Sequence, residues 1–143
     1  MTTMANKILF VDDDCDLAER LGAVLRHHGY DVTLASSARD GLRTALALRP
    51  DVIILDVSME TDTAGFEFVG QLRSRRAGSR YREIRATPVV LLTAINQVTN
   101  SRFSLDDRQS FLPDVSAVLT KPVRIDTLLA RIGDALGREG PTA

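Results

Sequence analysis

The chain has 143 residues, the size of one domain, and is long enough to bury a single hydrophobic core. Hydrophobic residues account for 44% and charged residues for 26%, and the formal net charge is -1, a composition typical of an ordinary soluble globular domain. This balance excludes a strongly basic nucleic-acid-binding domain and a disordered acidic tail.

The N-terminal segment and the cysteine content predict the cellular compartment. The segment MTTMANK has no apolar stretch like that of a secretory signal, and no apolar run is long enough to cross a bilayer. Cys15 is the only cysteine, so no disulfide can form within the chain, and a reducing compartment is expected. We therefore expect a cytoplasmic protein that does not enter a membrane, with Cys15 as a small packing residue rather than a redox group.

Short apolar runs rich in β-branched residues predict five β-strands. The first, third and fourth runs (ILFV, VIIL and VVLL) show no alternation of polar and apolar residues, which is typical of central strands covered on both faces. The five runs span residues 8–11, 32–35, 52–55, 88–92 and 117–119.

Apolar residues at helical spacing predict helices between these strands. The first helix should end at Gly29 in a left-handed cap, and the second should begin after Ser36 or Ser37 and end before Pro50. A short or irregular helix is expected within residues 94–116. The predicted apolar stripes are Leu17, Leu21, Val24 and Leu25, then Ala38, Leu42, Ala45 and Leu46, then Phe66, Val69 and Leu72, and last Ile125, Leu128, Leu129, Ile132 and Leu136.

Strands that alternate with helices predict an α/β fold, in which right-handed crossovers produce a doubly wound parallel sheet with helices on both faces. Ligands bind such sheets outside the carboxyl ends of the strands. The polar residues that close strands 1, 3, 4 and 5 should therefore meet in one cleft if these strands are neighbours. Those residues are Asp12 and Asp13, Asp56, Thr93, and Lys121 with Pro122.

The acidic end of the first strand requires positive charge nearby. Two unit charges about 4 Å apart repel by about 4 kcal/mol at an effective dielectric constant near 20, so three close carboxylates carry about 10 kcal/mol of repulsion. Lys121 supplies one positive charge, which leaves room for a divalent cation. A set of oxygen ligands with open positions suits Mg²⁺, which shares its coordination shell with water and phosphate oxygens. Asp14 or Asp16 is expected to cap the first helix.

The motifs FVDDD, ILDVSM, LLTA and TKPV, together with GYDVTLASSARDGL, resemble the receiver domain of bacterial two-component response regulators. The resemblance covers roughly residues 6–137. It implies that residues 1–143 form a single, stand-alone receiver domain with a frayed tail at 138–143. It also implies a five-stranded, flavodoxin-like sheet with strand order 2-1-3-4-5.

The resemblance implies a role for each matched residue. Asp56 would accept a phosphoryl group from a phosphohistidine. Asp13 would bind Mg²⁺ directly and Asp12 through water, while Asp56 and the backbone carbonyl of Ser58 would complete the ligands from the protein. Thr93 would donate its hydroxyl to a phosphoryl oxygen, and Lys121 would pair with another. Pro122 would hold the lysine loop through a cis peptide bond.

The sequence departs from the family in three respects. After Asp56 it reads MET where MP is typical, and Gly65 lies one position later than usual. Val118 and Leu119 occupy the positions before Lys121 where most receivers carry an inward-turning Tyr or Phe, so output is expected to use the loop after the fourth strand. The connections at 73–87 and 95–116 are longer than usual. For the arginines of the first we favour an extended helix end and a solvated loop over binding to an acidic partner or to phosphates, because the segment shows no regular interleaving of aromatic residues and no nucleic-acid motif.

The predicted function is that of a phosphoacceptor signalling protein of a two-component system or phosphorelay. It would catalyse its own phosphorylation and slow autodephosphorylation without being a conventional enzyme. A histidine kinase or histidine phosphotransferase and a downstream protein are the expected partners, nucleic acid is not, and homodimer formation is left open. Two alternatives are a Mg²⁺-dependent phosphatase with an aspartyl nucleophile, which generally has a second acid where Ser58 stands, and a scaffold that acts without phosphorylation.

Overall fold

A computed structural model describes residues 6–56, 64–74, 78–93 and 117–136. Within them, strands and helices alternate as predicted, and each strand begins and ends within one residue of its predicted run. The strands are β1 (Lys7–Val11), β2 (Asp31–Ala35), β3 (Val52–Asp56), β4 (Val89–Thr93) and β5 (Ala117–Thr120). The helices are α1 (Cys15–His27), α2 (Ala38–Leu48), α3 (Ala64–Leu72) and α4 (Ile125–Ala135), with a 3-10 turn at Arg82–Ile84 before β4. The helix expected within 94–116 lies outside the described residues.

All five strands pair in parallel in the order β2-β1-β3-β4-β5, which confirms the predicted topology. From β1 the chain first adds β2 on one side and then adds β3, β4 and β5 on the other. The carboxyl ends of β1 and β3 therefore border the point where the winding direction reverses, which is where ligands bind in open α/β sheets.

Helices cover both faces of the sheet and form two hydrophobic clusters. One face packs against α2 and α3 and the other against α1 and α4. β3 and β4 are buried along their whole length and β1 at all but its first residue, because both faces of each strand are covered. This explains why their sequences are continuously apolar.

A glycine allows α2 to approach the sheet and α3 closely. A Cβ atom built on Gly41 would lie 2.9 Å from side-chain atoms of Val11 in β1 and of Phe68 in α3. Phe68 is fully buried, although the predicted apolar stripe of α3 did not include it. The close approach of Gly41 to Val11 and Phe68 fixes the position of α2 beside the end of β1, which the acidic residues follow.

The helix ends follow the predicted capping residues. Asp14 caps α1, because its Oδ1 accepts the backbone N–H of Leu17 at 3.1 Å. Ser37 rather than Ser36 caps α2. Gly29 has a φ of +96° and ends α1 in the left-handed conformation, as expected for glycine at this position.

The described part of the arginine-rich connection is folded. Arg73 donates to the carbonyl of Arg85 at 2.5 Å, and the Arg85 side chain donates to the carbonyl of Ser74 at 2.9 Å. Ile84 is buried in the hydrophobic cluster beneath α2 and α3. Both arginines therefore hold the loop together. These contacts favour the interpretation of Arg73 and Arg85 as part of a helix end and a loop rather than as a binding site. Residues 75–77 lie outside the described part of the chain.

Two predictions outside the strands concern Cys15 and the membrane. Cys15 is exposed, so its prediction as a packing residue was wrong: the chain has already left the buried strand at this first residue of α1. In the part of the chain that the structure describes, no helix combines the length and apolar character needed to span a membrane.

Candidate functional site

Three carboxylates meet at the carboxyl ends of β1 and β3. Asp12 follows β1 directly and Asp56 is the last residue of β3, and the pairing of Val11 with Leu55 brings these strand ends side by side. As whole residues Asp12 and Asp56 are 1% and 2% exposed, whereas Asp13 is exposed. One oxygen from each of the three acids lies within 4.8 Å of the others. The parallel pairing thus creates the acidic cluster expected from the sequence.

One oxygen of Asp12 lacks a hydrogen-bond partner. Its Oδ1 accepts the backbone N–H of Asp14 at 2.9 Å, but Oδ2 is buried and unpaired among the described residues. Burial is the main cause that raises the pKa of Asp12 to about 7. The nearby Asp56 carboxylate contributes to this rise, and the Asp14 N–H and Lys121 oppose it. A buried carboxylate oxygen without a donor requires a proton or a cation, and three oxygen ligands fit Mg²⁺.

Lys121 lies against the predicted phosphoacceptor. Its Nζ is 2.9 Å from Oδ2 of Asp56, and the lysine side chain is 23% exposed against 3% for the aspartate. The backbone N–H of Lys121 donates to the carbonyl of Thr93 at 2.8 Å, which fixes the start of the loop after β5. The Lys121–Pro122 peptide bond is cis, as predicted. The ammonium therefore offsets part of the negative charge of the acidic cluster.

Thr93 completes the set at the same edge of the sheet. It ends β4 and is fully buried. Leu92, its neighbour in the chain, pairs with Asp56, so β4 extends one residue beyond β3 at this edge. All five predicted site residues in the described ranges lie at the carboxyl ends of adjacent strands. Ser58, whose carbonyl was the remaining predicted ligand, lies outside the described residues.

β5 carries no aromatic residue near the site. Val118 is half-buried and packs against the cluster beneath α2 and α3, while Leu119 packs against the opposite cluster. Thr120, immediately before Lys121, pairs with Thr93 in the register of β4 and β5.

Comparison with protein families identifies the family of this chain. The family model described as response regulator receiver domain matches residues 8–133, nearly the whole sequence. The chain belongs to this family. Its members are the receiver domains of two-component response regulators, which confirms the predicted family and agrees with the observed strand order.

Named relatives of this receiver domain are response regulators. The chain is 34% identical over 136 residues to the probable transcriptional regulatory protein TcrX of Mycobacterium tuberculosis, covering 94% of this chain and 51% of that protein. It is 31% identical over 138 residues to the DNA-binding response regulator MtrA of the same species, covering 96% of this chain and 54% of that one. The chain thus spans about half the length of these relatives.

Solved structures of receiver domains share the fold. The chemotaxis response regulator CheY4 of Vibrio cholerae is 32% identical, with a TM-score of 0.70 and coverage of 93% of this chain and 99% of that one. A putative response regulator from Chloroflexus aurantiacus is 26% identical, with a TM-score of 0.73 and coverage of 94% and 99%. The similarity therefore extends over almost the entire domain.

Proposed function

We propose that this receiver domain accepts a phosphoryl group on Asp56 from the phosphohistidine of a histidine kinase or histidine phosphotransferase and signals by protein contact. One observation carries the proposal. Asp56 is almost fully buried, lies 2.9 Å from an ammonium group and shares its site with two further carboxylates. Phosphoryl transfer needs such a positioned nucleophile with positive charge around the phosphoryl oxygens, and little covalent chemistry from the protein.

The acidic cluster is the proposed Mg²⁺ site. Asp12, Asp13 and Asp56 would hold the ion, and the resemblance adds the carbonyl of Ser58. The buried, unpaired Oδ2 of Asp12 supports this assignment, because a cation would satisfy it without a hydrogen-bond donor. When bound, Mg²⁺ would neutralise charge on the phosphoryl oxygens and on the carboxylates.

In the proposed transfer, an oxygen of Asp56 attacks phosphorus in line with the leaving imidazole. The new O–P bond forms as the P–N bond breaks, and its electron pair returns to the imidazole nitrogen, which leaves neutral when its other nitrogen is protonated. Lys121 would move its hydrogen bond from Asp56 to a phosphoryl oxygen, and the Thr93 hydroxyl would donate to another. The product is an acyl phosphate, which the domain would hydrolyse slowly.

The partners and the compartment stay at the level of proposals. A histidine kinase or phosphotransferase follows from the proposed chemistry, and a downstream protein would read the phosphorylated state. The absence of nucleic-acid binding and the cytoplasmic location stay predictions, and homodimer formation stays an open alternative. MtrA is named as DNA-binding, and the chain spans about half of that protein.

Intact-mass measurement tests the proposal. The protein is incubated with Mg²⁺ and a small acyl phosphate donor, alongside Asp56→Asn and, as a matched control, Asp134→Asn in the last turn of α4, where the aspartate is exposed. We expect one added phosphoryl group in the wild type and the control and none in Asp56→Asn. Rapid turnover of the donor without a stable adduct would instead support the phosphatase, and neither adduct nor turnover would support the scaffold.

A further inference from the structure

The residue that caps α1 also holds the carboxylate of Asp12. The backbone N–H of Asp14 donates to Oδ1 of Asp12 at 2.9 Å, and the backbone N–H of Asp12 itself donates to the carbonyl of Ala35 in β2 at 3.0 Å. Oδ2 of the same carboxylate is buried and has no hydrogen-bond partner among the described residues. Because both oxygens belong to one rigid, planar group, a hydrogen bond that fixes Oδ1 also fixes the direction of Oδ2. The Asp14 N–H therefore leaves Oδ2 as the oxygen that is available to a cation.

Helix α1 fixes the orientation of that N–H. Asp14 has an extended backbone with φ of -87° and ψ of 93°, its Oδ1 accepts the N–H of Leu17 at 3.1 Å, and its carbonyl accepts the N–H of Ala18 at 3.0 Å. The helix is anchored in turn, because Ala18, Leu21 and Leu25 are buried in the cluster on its side of the sheet. Asp14 itself is exposed and lies outside the group of three acids whose oxygens approach one another. It therefore acts through the backbone at the start of the helix and not as a ligand.

We infer that Asp14 is a positioning residue of the proposed Mg²⁺ site: by capping α1 it holds its own N–H against Oδ1 of Asp12 and so presents Oδ2 to the ion. This inference rests on the proposed function. The role depends on the acceptor oxygen of the Asp14 side chain, and an asparagine supplies such an oxygen equally well at a helix N-terminus. The charge of Asp14 acts separately, because any exposed carboxylate near the site attracts Mg²⁺ weakly through the solvent. Asp14→Asn and Asp14→Ala both remove this charge, so the difference between the two variants isolates the cap.

Titration calorimetry with MgCl₂ at pH 8 measures the Mg²⁺ affinity of the wild type, Asp14→Asn, Asp14→Ala and Ser37→Ala, each shown to be folded by circular dichroism. Asp14→Asn keeps the capping oxygen, whereas Asp14→Ala removes it. We expect Asp14→Ala to bind Mg²⁺ roughly three- to tenfold more weakly than Asp14→Asn, the range that corresponds to the loss of one helix cap. The affinity for the ion is measured on folded protein, so a general loss of stability does not change it.

Ser37→Ala is the matched control for the loss of a cap. It removes the cap of α2, where Oγ of Ser37 accepts the N–H of Asp40 at 3.1 Å, and it leaves the hydrogen bond between Asp14 and Asp12 in place. Its Mg²⁺ affinity should stay within about twofold of the wild type. Equal affinities of Asp14→Asn and Asp14→Ala, or equal weakening by Ser37→Ala and Asp14→Ala, would overturn the positioning role and leave the Mg²⁺ site intact. Absence of Mg²⁺ binding by the wild type would overturn the proposed Mg²⁺ site and this inference together, whereas phosphorylation of Asp56 is measured separately by intact mass.

Discussion

Burial of Asp12 predicts that the metal-free protein loses stability as the pH rises. A pKa raised from 3.8 to about 7 means that folding disfavours the carboxylate. The stabilising contribution of the protonated form is complete below pH 3.8 and is lost as the pH rises through 7. At pH 8 the ionised group costs about 4 kcal/mol, at about 1.36 kcal/mol for each pH unit between the two pKa values.

The substitution Asp12→Asn removes this cost, since an amide does not ionise and its oxygen can still accept the N–H of Asp14. In EDTA at pH 8 we expect the variant to be about 2 to 4 kcal/mol more stable than the wild type. At pH 5 the gain should fall to roughly 40% of that value, because pH 5 lies about 1.2 units above the ordinary pKa of 3.8 and pH 8 lies beyond the raised value. Mg²⁺ should stabilise the wild type at pH 8 but have little effect on Asp12→Asn. Urea unfolding of both proteins, in EDTA and in Mg²⁺ at pH 5 and pH 8, measures the stability gain of the variant and the stabilisation of each protein by Mg²⁺.

Asp13→Asn is the matched control, because Asp13 belongs to the same cluster but is exposed. It should weaken stabilisation by Mg²⁺ and change the metal-free stability by less than about 1 kcal/mol. Equal stability of Asp12→Asn and the wild type at pH 8 in EDTA would refute the argument from burial. Full stabilisation of Asp12→Asn by Mg²⁺ would refute the assignment of this residue to the metal.

Three further predictions address the ammonium group, the packing of α2 and its cap. Lys121→Gln removes the positive charge beside Asp56 and should slow phosphoryl uptake roughly ten- to a hundredfold. If the variant has a normal circular dichroism spectrum and takes up the phosphoryl group at the wild-type rate, Lys121 has no role in the transfer. Gly41→Ala should destabilise the domain by about 1 to 2 kcal/mol, because the added Cβ overlaps atoms of β1 and α3, whereas Gly22→Ala, with its nearest neighbouring atom at 3.5 Å, should be neutral or stabilising. Urea unfolding measures both, and a loss of the same size in each would argue against the close contact. Ser37→Ala should lower the free energy of unfolding by about 1 kcal/mol and Ser36→Ala should leave it almost unchanged, since Oγ of Ser37 accepts the backbone N–H of Asp40 at the start of α2. A larger loss in Ser36→Ala than in Ser37→Ala would contradict the observed cap.

The residue pattern along the chain determined the strands, the helices and most of their ends. Continuous apolar runs marked the strands that are covered on both faces, and the motifs at their ends indicated the family. Asp14 and Ser37 were each one of two predicted cap candidates, and Gly29 was predicted as the end of α1, because a cap depends on the residues within one turn of it. The acidic, threonine and lysine residues were predicted to converge because every parallel strand ends at the same edge of the sheet.

The tertiary structure alone decided how these residues differ. Asp12 and Asp13 are neighbours in the sequence, yet only Asp12 is buried with an unpaired oxygen. The packing of Phe68 against Gly41 and the pairing of Thr93 with Thr120 also join segments far apart in the chain. Local periodicity indicates which face of a helix or strand is apolar. The burial of a carboxylate and the pairing of residues in neighbouring strands depend on strand register and helix packing, which form only when distant segments of the chain meet.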